Sequence, residues 1–188
     1  KTTEDVTTES VQSAQAALEK TEDDFEQLVR IHTQTMDQIR EDFIGVFRTS
    51  MISARSGLSE ADEILGVDNS IVNDEFEHLL SNLDESQEQN AIASYENAKI
   101  SLEKAEELVY VLTTQSSFSQ IDEVYPVVIE SLEDVALTLL YTRKALDATT
   151  LTGSAFTPSE LSALKTSIDA AQQSVETALN TTLAQQQR

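Results

Sequence analysis

The sequence predicts an all-α chain, an elongated antiparallel four-helix bundle or coiled coil with one long N-terminal helix. Three observations carry that expectation. Apolar residues recur at alternating steps of three and four almost throughout, the spacing that lines up one face of a helix. Gly and Pro number 4 and 2 in 188 residues, well under the averages of about 7% and 5%, so elements run long without interruption. Aromatic residues are 5% of the chain, too few for a sandwich core or an aromatic-lined pocket.

The first helix is expected over about residues 9–65. Its stripe reads Val11, Ala14, Leu18, Phe25, Leu28, His32, Met36, Ile39, Phe43, Phe47, Met51, Ala54, Leu58, Ala61 and Leu65, with Thr21 as a polar rung. Around His32 the steps run four then four, a local shift toward an 11-residue repeat that relaxes a left-handed supercoil. Gly45 and Gly57 lower helix propensity where they stand, and a bend near Thr49-Ser50 is allowed for. Such a helix rises roughly 85 Å at 1.5 Å per residue. Gly66 is a candidate C-cap, and Gly66-Val67-Asp68-Asn69-Ser70 reads as a turn. Residues 71–83 have room for one or two helical turns.

Asp84 is placed as the N-cap of a second helix over about 85–114. Its rungs Ala91, Tyr95, Ala98, Leu102, Ala105, Val109 and Leu112 repeat 4,3,4,3,4,3. Thr113–Ser117 ends it with hydroxyl and amide side chains that compete for backbone hydrogen bonds. The third helix, about 120–148, starts from Ser119 as N-cap. It carries Tyr125, Val128, Leu132, Val135, Leu139, Thr142 and Leu146, and Pro126 in its early turns predicts an irregular start or a kink. Thr157-Pro158-Ser159-Glu160 holds the strongest local signal. Thr is the N-cap, Pro stands at the first helical position, and Glu closes a capping box three residues on. The fourth helix follows over about 158–187, with Leu161, Leu164, Ile168, Ala171, Val175, Ala178 and Thr182 on its stripe. Short loops make sequence neighbours antiparallel. Three helices of roughly 45 Å cannot run back along one of roughly 85 Å. The stretch around Val11, Ala14 and Leu18 is therefore expected to lack a partner within these residues. A seam of that kind calls for one, and a natural fourth helix continuing past residue 188 is the expected cover.

Charge bounds the function. With 34 acidic and 12 basic residues the formal net charge is −22. That argues against a nucleic-acid partner, which requires a basic face, and against docking on an anionic membrane surface. With no cysteine, there is no disulfide framework, thiolate metal site or Cys nucleophile. No apolar run reaches the roughly 18 residues of a membrane span, and Lys1-Thr2-Thr3-Glu4 opens no signal-peptide pattern. The chain reads as a mature or excised segment, extracytoplasmic by its acidity and Ser/Thr/Gln/Ala richness. Any membrane contact would run through segments outside it.

No catalytic, cofactor-binding or metal-ligating residue is expected. His32 lies on the apolar stripe and is read as a buried or half-buried core residue. His78 closes one E-x-x-H with Glu75, whereas a bundle di-iron site requires two such motifs and two further glutamates. Asp68, Asn69, Ser70, Asn73, Asp74 and Glu75 gather oxygen ligands of the kind calcium takes, without EF-hand spacing, and read as a solvated turn. Glu22-Asp23-Asp24, Glu60-Asp62-Glu63 and Glu130-Glu133-Asp134 read as solvated faces. Arg143-Lys144 is read as neutralising a neighbouring acidic face, and Asn180-Thr181-Thr182 is a glycosylation sequon placed mid-helix. No nucleophile–base pair, P-loop or dinucleotide fingerprint is present, so an enzyme is not expected.

Several stretches share the style of a known family. These are Ala61-Asp62-Glu63-Ile64-Leu65-Gly66-Val67-Asp68-Asn69-Ser70 ending a long helix, Tyr95-Glu96-Asn97-Ala98-Lys99, and Phe156-Thr157-Pro158-Ser159-Glu160-Leu161 before a Gln/Ala/Ser-rich helix. Together they resemble the helical region of periplasmic adaptor proteins, the membrane fusion proteins of the HlyD type, in an expanded form. The resemblance does not extend to the hairpin-tip pattern of Arg followed by Leu four residues on, since Leu58 follows Arg55 and Leu146 follows Arg143 at three. It implies a non-catalytic helical spacer in an efflux or secretion assembly. Its partners would be other subunits of that assembly and further copies of itself. The competing expectation is an extracytoplasmic four-helix-bundle sensor domain of the chemoreceptor kind.

Overall fold

The computed structural model describes residues 3–71, 73, 76–151 and 156–186, with side chains from residue 8 onward. Its elements are α1 (Thr3–Leu65), a 3-10 turn (Glu77–Leu79), α2 (Glu85–Val111), α3 (Phe118–Asp147) and α4 (Pro158–Gln185). The fold is all-α, a four-helix bundle whose first helix is the longest. α2 and α4 start at the expected residues, α3 starts two residues early at Phe118, and α1 starts at Thr3, six residues before the expected position. α1 is one uninterrupted helix through Thr49-Ser50, and Pro126 sits inside a continuous α3.

The chain divides into residues 1–41 and residues 42–188. Within the second unit the helices alternate in direction, as the cross-links between them show. Ser50 and Thr182 share a hydrogen bond of 2.9 Å from α1 to α4, while farther along α1 Ser167 donates to Glu60. Arg55 pairs with Glu106 of α2, and Arg48 donates to the Leu112 carbonyl at 3.0 Å. Ser94 and Thr138 join α2 to α3 at 3.0 Å. Asp147 and Asp169 hold α3 to α4 through Lys165 at 2.8 Å and Arg143 at 2.9 Å.

The core follows the sequence stripes. Every rung from Ala91 to Leu112 is buried, as are Val128, Leu132, Val135, Leu139, Thr142 and Leu146. On α1 burial begins at Ile44 and continues through Phe47, Met51, Ala54, Leu58, Ala61 and Leu65. The turns close one end of the bundle. Gly66 takes φ +64°, a left-handed conformation that favours glycine, and its N–H returns to Asp62 O at 2.8 Å. Asn73 is buried and donates to the Ile64 carbonyl at 3.1 Å, satisfying a group the helix end leaves open. Phe76 stacks on Phe156 at 4.9 Å, which ties the 66–84 turn to the segment before α4.

Capping decides the helix starts. Asp84 accepts from Ser86 N, and Thr157 with Glu160 forms the expected capping box. α3 departs from expectation: its N-cap is Ser117, not Ser119. Gln120 explains the choice, because its side chain accepts from Ser117 N at 2.8 Å while its own N–H donates to Ser117 Oγ at 3.2 Å. From Ser119 the N3 position would be Asp122, without that reciprocal amide.

Gly57 is a second departure, because its role is packing. A Cβ there would lie 2.9 Å from Val175 Cγ2, 3.2 Å from Leu139 Cδ1 and 3.3 Å from Val135 Cγ1. Bare backbone is what lets α1, α3 and α4 meet at this point. A Cβ on Gly45 would have nothing within 4 Å of it. Urea denaturation is expected to separate the two. Gly45→Ala gains about 0.5–1 kcal/mol from helix propensity. Gly57→Ala loses about 1–3 kcal/mol, because β-branched valines cannot turn aside cheaply.

Candidate functional site

Two surface features stand out, and the first lies on α1. None of residues 8–35 is buried. The stripe residues Val11, Leu18, Phe25 and Leu28 are 57%, 59%, 68% and 67% exposed, and Val29 and Ile31 widen the apolar face beside them. Thr21, the polar rung, turns its hydroxyl onto the Ala17 carbonyl at 2.8 Å, which leaves the stripe less polar than its composition suggests. Lone exposed apolar residues are ordinary, whereas a run of them at helical spacing on one face makes this stretch a candidate interaction surface. His32 lies in this stretch and is exposed, which corrects its expected place in the core. The cover that would have buried it is not supplied by the described residues.

The second feature is a half-open cleft of about 360 Å³ between the C-terminal part of α1, the turn after it and α2. Leu58 and Leu102 contribute its apolar part, and Arg55, Asp62, Asp68, Tyr95 and Lys99 its polar wall. Asp68 is the hub. It receives Lys99 Nζ at 2.7 and 2.8 Å and the Tyr95 hydroxyl at 2.9 Å, and its own N–H donates to Asp62 Oδ1 at 2.8 Å. Lys99, then Tyr95, holds the Asp68 carboxyl below its ordinary range. Burial first, then the Asp68 bond, raises the Tyr95 phenol. Both cations of the cleft are already matched, Lys99 by Asp68 and Arg55 by Glu106.

The lowered Asp68 value fixes the sign of a pH effect. Stability from this link is complete above the ordinary carboxylate value and is lost as pH falls through the folded one. The pair is exposed and screened by solvent, so its worth is small. Asp68→Asn is expected to destabilise slightly at neutral pH and by nothing measurable in strong acid, read from urea midpoints at both. Glu60 runs the other way. Burial, then nearby Glu63, raises its carboxyl, so its ionisation costs stability as pH rises through that value.

The remaining residues singled out in the sequence disperse. Asp68 faces α2, Asn73 turns inward to cap α1, and Asn69 and Ser70 are exposed. Asp74 and Glu75 lie outside the described residues, and with Glu75 goes the E-x-x-H reading of the exposed His78. Among the described residues no group of three or more His, Asp or Glu is placed to hold a metal. Arg143 pairs with Asp147 and Asp169, and the Lys144 ammonium stands 4.9 Å from the Tyr141 ring centre. Asn180 is exposed, while Thr182 is buried and bonded to Ser50. Of the acidic runs, Glu22, Asp23, Asp24, Glu130 and Glu133 are solvated, and Glu60, Asp62 and Asp134 are half-buried. The Asp68–Tyr95–Lys99 link escaped sequence reasoning, because Tyr95 reads as a core rung and Asp68 as a turn acid. The i,i+4 spacing of Tyr95 and Lys99 was the one signal that they share a face.

The fold and these surfaces define a class, an antiparallel helical bundle whose longest helix also carries an exposed apolar stripe. No protein-family model matches the chain, and no curated protein or solved structure is significantly similar to it. No helix among the described residues is long and apolar enough to cross a membrane.

Proposed function

We propose that this chain is a non-catalytic helical spacer and interaction module of a membrane-transport assembly, of the periplasmic adaptor kind. The observation that carries the reading is the exposed stripe Val11, Leu18, Phe25 and Leu28 on α1. An apolar face at coiled-coil spacing serves to dock another helix. The bundle residues supply stiffness: their core is mostly aliphatic with a few buried rings, and two pairs of its buried hydroxyls join neighbouring helices. Ser50 with Thr182 and Ser94 with Thr138 are hydroxyl–hydroxyl pairs, which fix register and offer no reactive geometry. The transport role draws on the sequence resemblance, and the extracytoplasmic setting on the acidity and the Ser/Thr/Gln/Ala richness of the chain.

The test is cross-linking in the source cell, with a photoreactive residue at Leu28 and mass spectrometry of the adducts. Besides adducts between copies of this chain, the reading predicts subunits of a membrane transporter or its exit channel. Adducts with a signalling kinase or a chemotaxis component would contradict it. They would favour the second reading, a ligand-sensing bundle, which draws on the cleft at Asp68 and Tyr95. That reading has to contend with cations already neutralised by neighbouring carboxylates.

A further inference from the structure

We infer that two copies of this chain pair antiparallel through residues 11–28 of α1. This rests on reading that segment as an interaction element and not on the transport assignment. With Val11, Leu18 and Phe25 as one set of seam positions and Ala14, Thr21 and Leu28 as the other, an antiparallel coiled coil sets each set against the other. Val11 then meets Leu28 of the partner copy, Ala14 meets Phe25, and Leu18 meets Thr21. Every layer joins a larger side chain to a smaller one, the alternation that fills a helix interface without voids. A parallel in-register pair would stack Ala14 on Ala14 and Phe25 on Phe25, leaving a hole in one layer and crowding another.

Charge selects the register. Flanking positions facing one another across an antiparallel seam interact directly. In the register above, Glu22 faces Gln15 of the partner copy and Asp24 faces Ala17, so neither carboxylate meets a like charge. Slipping by one heptad would bring Leu18 onto Leu28, but would set Glu22 against Glu22 and Asp24 against Asp24. The opposite slip takes Phe25 and Leu28 out of the seam. The area is sufficient for association. Side chains of this size each remove roughly 60–120 Å² of apolar surface from water. The six exposed ones from Val11 to Ile31 therefore reach the order of 400–700 Å² per copy, close to the ~800 Å² per partner of a standard interface. A seam of this length gives a reversible dimer, strengthened by salt because both copies are acidic in this stretch.

Sedimentation equilibrium of the whole chain up to millimolar concentration tests the pairing. The expected result is a reversible transition from 20.7 kDa to twice that mass. Leu18→Lys with Phe25→Lys should raise the dissociation constant at least tenfold without changing the bundle's unfolding midpoint. A mass that stays at one copy throughout overturns the proposal, as does a dimer indifferent to the double substitution. Orientation is read separately by spin labels, since the chain has no native cysteine. Lys20→Cys lies beside the expected two-fold axis, with an axial offset of roughly 2 Å between copies, whereas Gln12→Cys is offset by roughly 22 Å. Equal label separations at the two positions would mean parallel pairing and overturn the arrangement. A chain that remains a single copy yet cross-links through Leu28 to a transporter sinks this pairing and leaves the proposed function standing.

Discussion

Phe47→Ala is expected to lower the unfolding free energy by about 3–5 kcal/mol, the range for emptying a buried aromatic site. The ring is fully buried. It lies 6.1 Å from Phe43, edge to face, and 6.2 Å from Tyr125 of α3, geometries in which aromatic pairs add to the value of burial. Its loss removes a large apolar surface at the level where α1 first contributes to the core. The measurement is a urea midpoint at unchanged slope. The same substitution at Phe25, 68% exposed, is expected to stay within about 0.5 kcal/mol in dilute solution. Equal effects at the two phenylalanines would mean that the bundle does not begin where α1 enters the core.

Leu132→Ala should cost about 2–5 kcal/mol. Leu132 is fully buried in the middle of α3, in one continuous cluster with Leu102, Val128, Val135 and Leu139. A side chain in that position has no route to solvent, so truncation leaves a cavity that the rigid helices collapse only in part. Leu18→Ala on α1, at 59% exposure, is the control and should cost little in a monomer. A loss near zero at Leu132 would mean that the stripe on α3 is wrongly placed.

The architecture was legible because it rests on local rules. The 4,3,4,3 series from Ala91 to Leu112 and the run from Val128 to Leu146 point inward with no rung out of place, as helical period requires. The signals at Asp84, Gly66 and Thr157 act within three or four residues, so one sequence suffices to read them. Where reading failed, the deciding partner was distant or had competition. Gly57 reads as a weak helix former until Val175 is known to press on it. Ser117 and Ser119 compete for one cap, and Gln120 settles it. His32 carries a core-like spacing, but spacing says which face a residue occupies, not what covers that face. The cleft was least legible, since Asp68 meets Tyr95 and Lys99 only because the turn after Gly66 folds back toward α2.

Hydrogen exchange on dilute chain, followed by mass spectrometry, tests the central claim most directly. That claim is a self-sufficient helical core over residues 42–186, with an exposed apolar-striped segment of α1 before it. Amides in the buried stretches of α2 and α3 should open only with global unfolding, while those of residues 8–35 should exchange orders of magnitude faster, as exposed helix does. Protection of residues 8–35 equal to that of α3, at concentrations too low for association, would contradict the account.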